Sequence, residues 1–351
     1  MNVKVLKTTA IALFLAAGFY SCTKETPLMS VITMESDSDN GFGNGFLMRF
    51  RVAGTGAGRI DWGDGTPVDT FTLTPIPSGD FLANYFGHEY SEPSIYTITI
   101  IGESITDLIT CTSKIKSLDV SKCKTLARLV CNDSGITQLD VSGLTVLEFL
   151  SCKHFNWPTG LTHLDVSGCT ALKALSCAWN RLTHLDVSSC VSLEILNCSD
   201  NELTSLDISK NTALTSLWCR NNQLTQLDLN FNTELNDLSC TDNQLTHLDI
   251  STNTALIQLE CSYNQLNSLR NSNHNVFLYT LRLNYNELSA DVINNLFETL
   301  HSDQSKPLPG YYDFGKNVDV MFNPGAENCD RSIAEKKGWK VYYIVENEES
   351  K

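Results

Sequence analysis

The residues of this 351-residue chain that could do chemistry are its 13 cysteines, its 7 histidines and a series of evenly placed aspartates. Cys111, Cys131, Cys152, Cys177, Cys198, Cys219, Cys240 and Cys261 follow one another at intervals of 20, 21, 25, 21, 21, 21 and 21 residues. Thiols on a fixed period of this length point to small buried hydrophobes in a stacked repeat, because in-register parallel strands aim neighbouring side chains the same way and do not suit disulfide geometry. Cys123, Cys169 and Cys190 form a second column, where other turns carry Asn211, Asn232 and Asn253; we read these as interchangeable small residues at a corner. Cys329 stands apart. His163, His184 and His247 share one repeat position and could grip a metal, but Ser205 and Gln226 fill the same column, which marks a position that tolerates polar residues. Asp119, Asp140, Asp165, Asp186, Asp207, Asp228 and Asp249 either accept turn amides or recruit cations such as calcium, and amides are favoured because aspartate readily bonds local backbone. Asp37-Ser38-Asp39-Asn40-Gly41 loosely resembles a calcium loop, with the glycine one place early and no closing Glu, and a turn fits better. Gly54-x-Gly56-x-Gly58 leads into strand-like Ile60-Asp61-Trp62 and not into a helix, so a flexible loop is preferred to a phosphate site. No H-E-x-x-H, G-x-S-x-G or Walker lysine occurs. The expectation is a chain that is not an enzyme, with no catalytic residues, cofactor or metal.

The elements that carry these columns follow from periodicity. Leu196-Asn197-Cys198 runs on through Asn201, Leu203, Leu206 and Asp207; the next turns repeat the frame with Leu217, Cys219, Asn222, Leu224, Leu227 and Asp228, then Leu238, Cys240, Asn243, Leu245, Leu248 and Asp249. Leu281-Arg282-Leu283 with Asn286 continues it. Leu-x-Cys alternation is a short strand with both side chains inward, and one coil cannot cover its own apolar face, so coils must stack. The Asn column (Asn180, Asn201, Asn222, Asn243, Asn264, Asn286) fits buried amides that satisfy turning backbone. This frame resembles the leucine-rich-repeat family over residues 105–288. A mainly β solenoid of about nine 21-residue coils, roughly 40 Å long at about 4.8 Å per strand, is expected.

Residues 28–104 differ. Phe46–Val52 and Tyr96–Ile100 predict strands. Asp61-Trp62-Gly63-Asp64-Gly65-Thr66, then His88-Glu89-Tyr90, then the last strand resemble a PKD-type immunoglobulin-like β-sandwich, with Trp62 in the core and Asp64 bonding turn amides. Residues 289–351 predict an α/β cap: a helix over Ser289–Leu300, a strand at Val320–Phe322, a short helix over Arg331–Lys337 and a closing strand Lys340–Val345. At the other end, Lys4 and Lys7 precede an apolar run from Thr8 to Tyr20, the layout of a secretory signal over residues 1–21. Phe19-Tyr20-Ser21-Cys22 resembles a lipobox, which implies acylation of Cys22 and a tether over residues 22–27. The whole arrangement resembles internalin-like, exported repeat lipoproteins of Bacteroidota.

A formal charge of −15 argues against nucleic acid and against a basic attachment to anionic lipid, which leaves the N-terminal lipid as the only membrane contact. Residues flanking the inward Leu and Cys must face the other side of the strand, which in leucine-rich repeats is the concave ligand surface. They include Phe149, His154, Trp179, Trp218, Arg220, Tyr263, Arg282 and Tyr285, and exposed aromatics with arginine are what interface centres favour. The expected function is non-catalytic binding and adhesion by a monomer at the cell envelope, lipid-anchored to the outer membrane, with a protein partner. The alternatives are a glycan ligand for an uptake system and a structural envelope spacer.

Overall fold

A computed structural model describes residues 29–37, 46–75, 85–110, 115–155, 159–302 and 315–343. The signal, the tether and Cys22 lie outside these residues, as do Cys111, most of the calcium-like loop, residues 156–158 and the end of the expected closing strand.

Six strands open the chain: β1 (Ser30–Asp37), β2 (Phe46–Asp61), β3 (Asp69–Leu73), β4 (Tyr85–Tyr90), β5 (Ile95–Ile109) and β6 (Ile115–Lys122). They pair antiparallel, with β5 between β1 and β2, β6 on the far edge of β1, and β3 and β4 on β2. Strict alternation in β1 turns Ile32 and Met34 inward, against Ile98 and Ile100 of β5. The two long strands extend well beyond the expected segments, and the glycine run explains how. Gly54, Gly56 and Gly58 lie inside β2, where its register with β5 shifts between Ala53 and Gly54 and again between Thr55 and Gly58. A Cβ on Gly54 would sit 1.8 Å from the Ser104 carbonyl oxygen, and one on Gly58 2.5 Å from the Phe71 ring. The glycines therefore form a bulge at a close backbone approach, neither a phosphate cradle nor a flexible loop.

The three segments that resemble a PKD motif meet. Trp62 is buried, and its indole donates to Asp69 at 2.7 Å. Asp64 accepts from the Thr66 amide at 3.0 Å and contacts His88 Nε2 at 2.7 Å; His88 in turn stacks on Trp62 at 4.8 Å. The Tyr90 hydroxyl donates to the Trp62 carbonyl. Burial works to raise the Asp64 carboxyl, but the Thr66 hydroxyl and amide and His88 outweigh it and hold it at about 2.

These strands are continuous with the repeats. The end of β5 pairs in parallel with β7 (Arg128–Val130), and from β7 onward ten parallel strands stand in one row, ending at Asn317–Asp319 and Lys340–Tyr342. The described strands thus make one 16-stranded sheet and two short pairs on the opposite edge of the coils, Gln138–Asp140 with His163–Asp165 and His247–Asp249 with Ser268–Arg270. Leu175, Leu196, Leu217 and Leu238 align across neighbours. Burying one leucine contributes about 2 kcal/mol, and only a neighbouring coil completes that burial.

The first cysteine interval resolves here. Leu108 pairs with Leu129, so Thr110, buried and with its amide bonded to the Val130 carbonyl, takes the slot that Cys131 fills one coil on. The step from Thr110 to Cys131 is 21 residues, so the slot at the head of the ladder is filled by Thr110. The C-terminal segment also differs from the expected strand at Val320–Phe322. Val318, Val320 and Asn323 take the Leu, Cys and Asn positions of a further coil, with its strand at Asn317–Asp319. Helix α1 (Ala290–Thr299), N-capped by Ser289, buries Ile293, Leu296 and Phe297, and α2 (Ser332–Glu335) precedes the last strand. No helix among the described residues is long and apolar enough to cross a membrane.

Candidate ligand-binding face

The interior fixes the face. All eleven described cysteines are buried thiols. Burial drives the Cys177 and Cys219 thiols well above their ordinary range and Cys198 up to about 12, so they behave as packing groups and not as nucleophiles. In the second column the Cys169 thiol reaches the Val141 carbonyl at 3.2 Å, while Asn211 reaches two carbonyls, those of Val187 and Cys190.

The asparagine ladder is the hinge of each coil. Asn222 donates to the carbonyls of Cys198 and Cys219, both at 3.1 Å, and accepts from the Leu203 amide at 3.0 Å; Asn180, Asn201, Asn243, Asn264, Asn286 and Asn323 repeat the pattern. The aspartate column serves the opposite corner. Each of Asp119, Asp140, Asp165, Asp186, Asp207, Asp228 and Asp249 accepts the amide two residues on at 2.8 to 3.0 Å. Hydrogen bonds from Ser121 and Ser188 hold the Asp119 and Asp186 carboxyls below the usual range. His163, His184 and His247 are exposed, and no group of three or more His, Cys, Asp or Glu among the described residues could hold a metal ion.

The structure divides the eight expected contact residues into three sets. Phe149, Trp218 and Arg282 stand on the outward side of the parallel strands, with Arg220 just beyond. The Arg128 guanidinium lies 4.7 Å over the Phe149 ring, and Phe149, Ala174 and exposed Ile195 are neighbours in register, which makes an apolar strip. Trp218 donates its indole N–H to Asp237 on the next coil at 3.0 Å. Burial pushes the Asp237 carboxyl up, against the indole bond, and Glu260 adds repulsion. Arg282 pairs with Glu260 at 3.2 Å and Arg220 with Asp200 at 3.6 Å.

Trp179, Tyr263 and Tyr285 form the second set. They leave the strand in the left-handed region, at φ of 62°, 54° and 56°, together with Asp133, Asp200, Asn221, Asp242 and Phe322. This column precedes the asparagines and forms a rim beside the sheet. Tyr263 stacks on Tyr285 and Tyr285 on Phe322, each at 4.3 Å, and Phe155 lies 6.1 Å from Trp179. His154 is the exception. It is only 4% exposed, with Nε2 2.7 Å from the Thr159 hydroxyl. It belongs to the interior of the lengthened coil and is not a contact residue; the ring folds inward beside Gly160, where a Cβ would sit 3.4 Å from it.

Phe155, Ile195, Asp237 and Phe322 are the face and rim residues that the aromatic and arginine columns did not single out. The signal for Phe322 was the frame Val318-x-Val320-x-x-Asn323. For Ile195 and Asp237 it was their place just before the inward leucine.

No protein-family model matches the chain, and no curated protein is similar to it. Among solved structures it is similar to the functional domain of InlJ from Listeria monocytogenes, which includes a cysteine ladder. The two are 34% identical, with a TM-score of 0.55, over 68% of this chain and 49% of that one, so the chain spans about half the length of the InlJ structure. The internalin InlF from Listeria monocytogenes is 19% identical, with a TM-score of 0.44, over 69% of this chain and 87% of that one. The LRIM1/APL1C complex matches at 19% identity and a TM-score of 0.49, over 70% of this chain and 49% of that one. With its leucine, cysteine and asparagine columns in phase through a mainly β stack, this chain carries a leucine-rich-repeat solenoid.

Proposed function

We propose that the chain is a non-catalytic cell-surface binding and adhesion protein that presents the outward face of its parallel sheet to a protein partner. The observation that carries this reading is the strip Phe149, Ala174 and exposed Ile195, with Trp218 in the neighbouring column of the same face and Arg220 and Arg282 further along the stack. The charge distribution supports it. The aspartate column lines the opposite edge, while Arg128, Arg220 and Arg282 offset the acids of the face. A glycan ligand is the second reading, favoured by exposed Trp179, whose ring could stack on a sugar. In this reading Cys22 carries the lipid that holds a monomer at the outer membrane, and the six N-terminal strands serve as a PKD-type spacer. Support for the spacer comes from the meeting of Trp62, Asp64, His88 and Tyr90.

The test is capture on protein and glycan arrays by the full chain in detergent. Trp218→Ala combined with Phe149→Ala is expected to weaken capture of a protein spot by about tenfold or more, at unchanged circular dichroism. Undiminished capture removes the face from the account.

A further inference from the structure

An aromatic ring in the left-handed column stands beside an aspartate of the adjoining coil twice. Asn180 N donates to Asp200 O at 3.1 Å, placing Trp179 next to Asp200, and Asn243 N donates to Tyr263 O at 3.1 Å, placing Asp242 next to Tyr263. The two steps differ in what meets the carboxylate. Asp200 has Arg220 of the following coil, with Nε 3.6 Å from Oδ2, and the Asn221 amide 2.9 Å from Oδ1. The backbone bonds Asp200 N to Arg220 O and Asp242 N to Ser262 O put Ser262 in the place of Arg220. Among the described residues, Asp242 has neither an ion pair nor a side-chain hydrogen bond.

Tyr263 is the last ring of its stack. One face lies on Tyr285, with the ring planes 13° apart, and the stack spacing of 4.3 Å is close to one coil, so the rings are piled along the solenoid. The other face points toward the coil of Asp242, no described ring or cation covers it, and the residue is 50% exposed. A tyrosine in the left-handed region is costly for a bulky side chain, and asparagine, which tolerates it, stands at Asn221. A bulky residue held where a smaller one fits better is a mark of use.

We infer that Asp242 and Tyr263 form a seat for an arginine side chain of the protein partner. The guanidinium plane lies on the open face of Tyr263, and its N–H fork donates to the Asp242 carboxylate. The seat supplies from outside the cation that Arg220 supplies to Asp200 from within. A planar cation suits a flat ring beside a carboxylate better than an ammonium does, and a chain with a formal charge of −15 draws a basic partner. This inference rests on the reading of a protein ligand.

Calorimetric titration of the full chain with triarginine, trilysine and maltotriose tests it. Asp242→Asn and Tyr263→Asn both place asparagine where the column already uses it, so the fold is retained. Triarginine is expected to bind wild type about threefold or more tighter than trilysine. Each variant is expected to weaken triarginine about fivefold, while Asp228→Asn on the opposite edge changes it less than about twofold. Equal loss in Asp242→Asn and Asp228→Asn, trilysine binding as tightly as triarginine, or maltotriose binding as tightly as triarginine each overturns the seat. Array capture by the Trp218→Ala, Phe149→Ala chain reports on the face separately. Failure of the titration with loss of that capture removes the seat alone, and the reverse removes the face alone.

Discussion

Asn221 and Asn222 are the same residue one peptide bond apart, and they do different work. Asn222 is buried, and its side-chain amide ties two neighbouring coils: it accepts from Leu203 and donates to Cys198 of the preceding coil, and donates to Cys219 of its own. Asn221 is exposed, sits at φ 51° and makes one side-chain bond, to Asp200. Down the stack the first position stays asparagine from Asn180 to Asn323, while the second runs through Asp133, Trp179, Asp200, Asn221, Asp242, Tyr263, Tyr285 and Phe322. Where backbone demand fixes the chemistry, the repeats agree. Where the backbone only imposes a conformation, the choice of side chain is free to serve something in solvent.

The largest expected effect tests that contrast directly. Asn222→Ala strands the buried Leu203 amide and leaves a void, and should cost about 3 kcal/mol. Asn221→Ala gives up tolerance of the left-handed region and one exposed bond, and should cost about 1 kcal/mol. Urea unfolding of both measures the gap, and equal costs would break the comparison.

A smaller effect separates the N-terminal strands from the repeats by pH. Asp64 is held at about 2 in the fold, below the roughly 3.9 of an unfolded aspartate. Its stabilisation is whole above about pH 4 and drains away as pH falls toward 2. Asp64→Asn should cost about 2 kcal/mol at pH 6, with the deficit shrinking toward nothing near pH 2, as followed by urea midpoints of the two chains. A constant deficit would mean that the carboxylate's bonds to Thr66 and His88 are not what holds the turn.

Much of the fold was legible in the sequence because backbone chemistry repeats. The Leu, Cys and Asn columns announced strands, interior and turn amides before any coordinate. The glycine run misled because a bulge and a loop share the same composition, and only the pairing of β2 with β5 tells them apart. Cys111 misled because a cysteine one residue away stood in for the Thr110 slot, and Val318-x-Val320-x-x-Asn323 went unread as a coil because valines replace the leucine and cysteine. The face was half legible. Outwardness follows from strand alternation, but Trp179, Tyr263 and Tyr285 sit past the strand end, where left-handed turns redirect the side chain, and His154 turns inward within an insert that breaks the period.

Thiol mapping on the full chain tests the stacked interior most directly. With a thiol-alkylating reagent under non-reducing conditions, the ladder cysteines Cys131, Cys152, Cys177, Cys198, Cys219, Cys240 and Cys261 should stay unlabelled in buffer and all become labelled in 6–8 M urea. Labelling of these thiols in the native chain, or their failure to label once unfolded because they are paired as disulfides, would contradict the account.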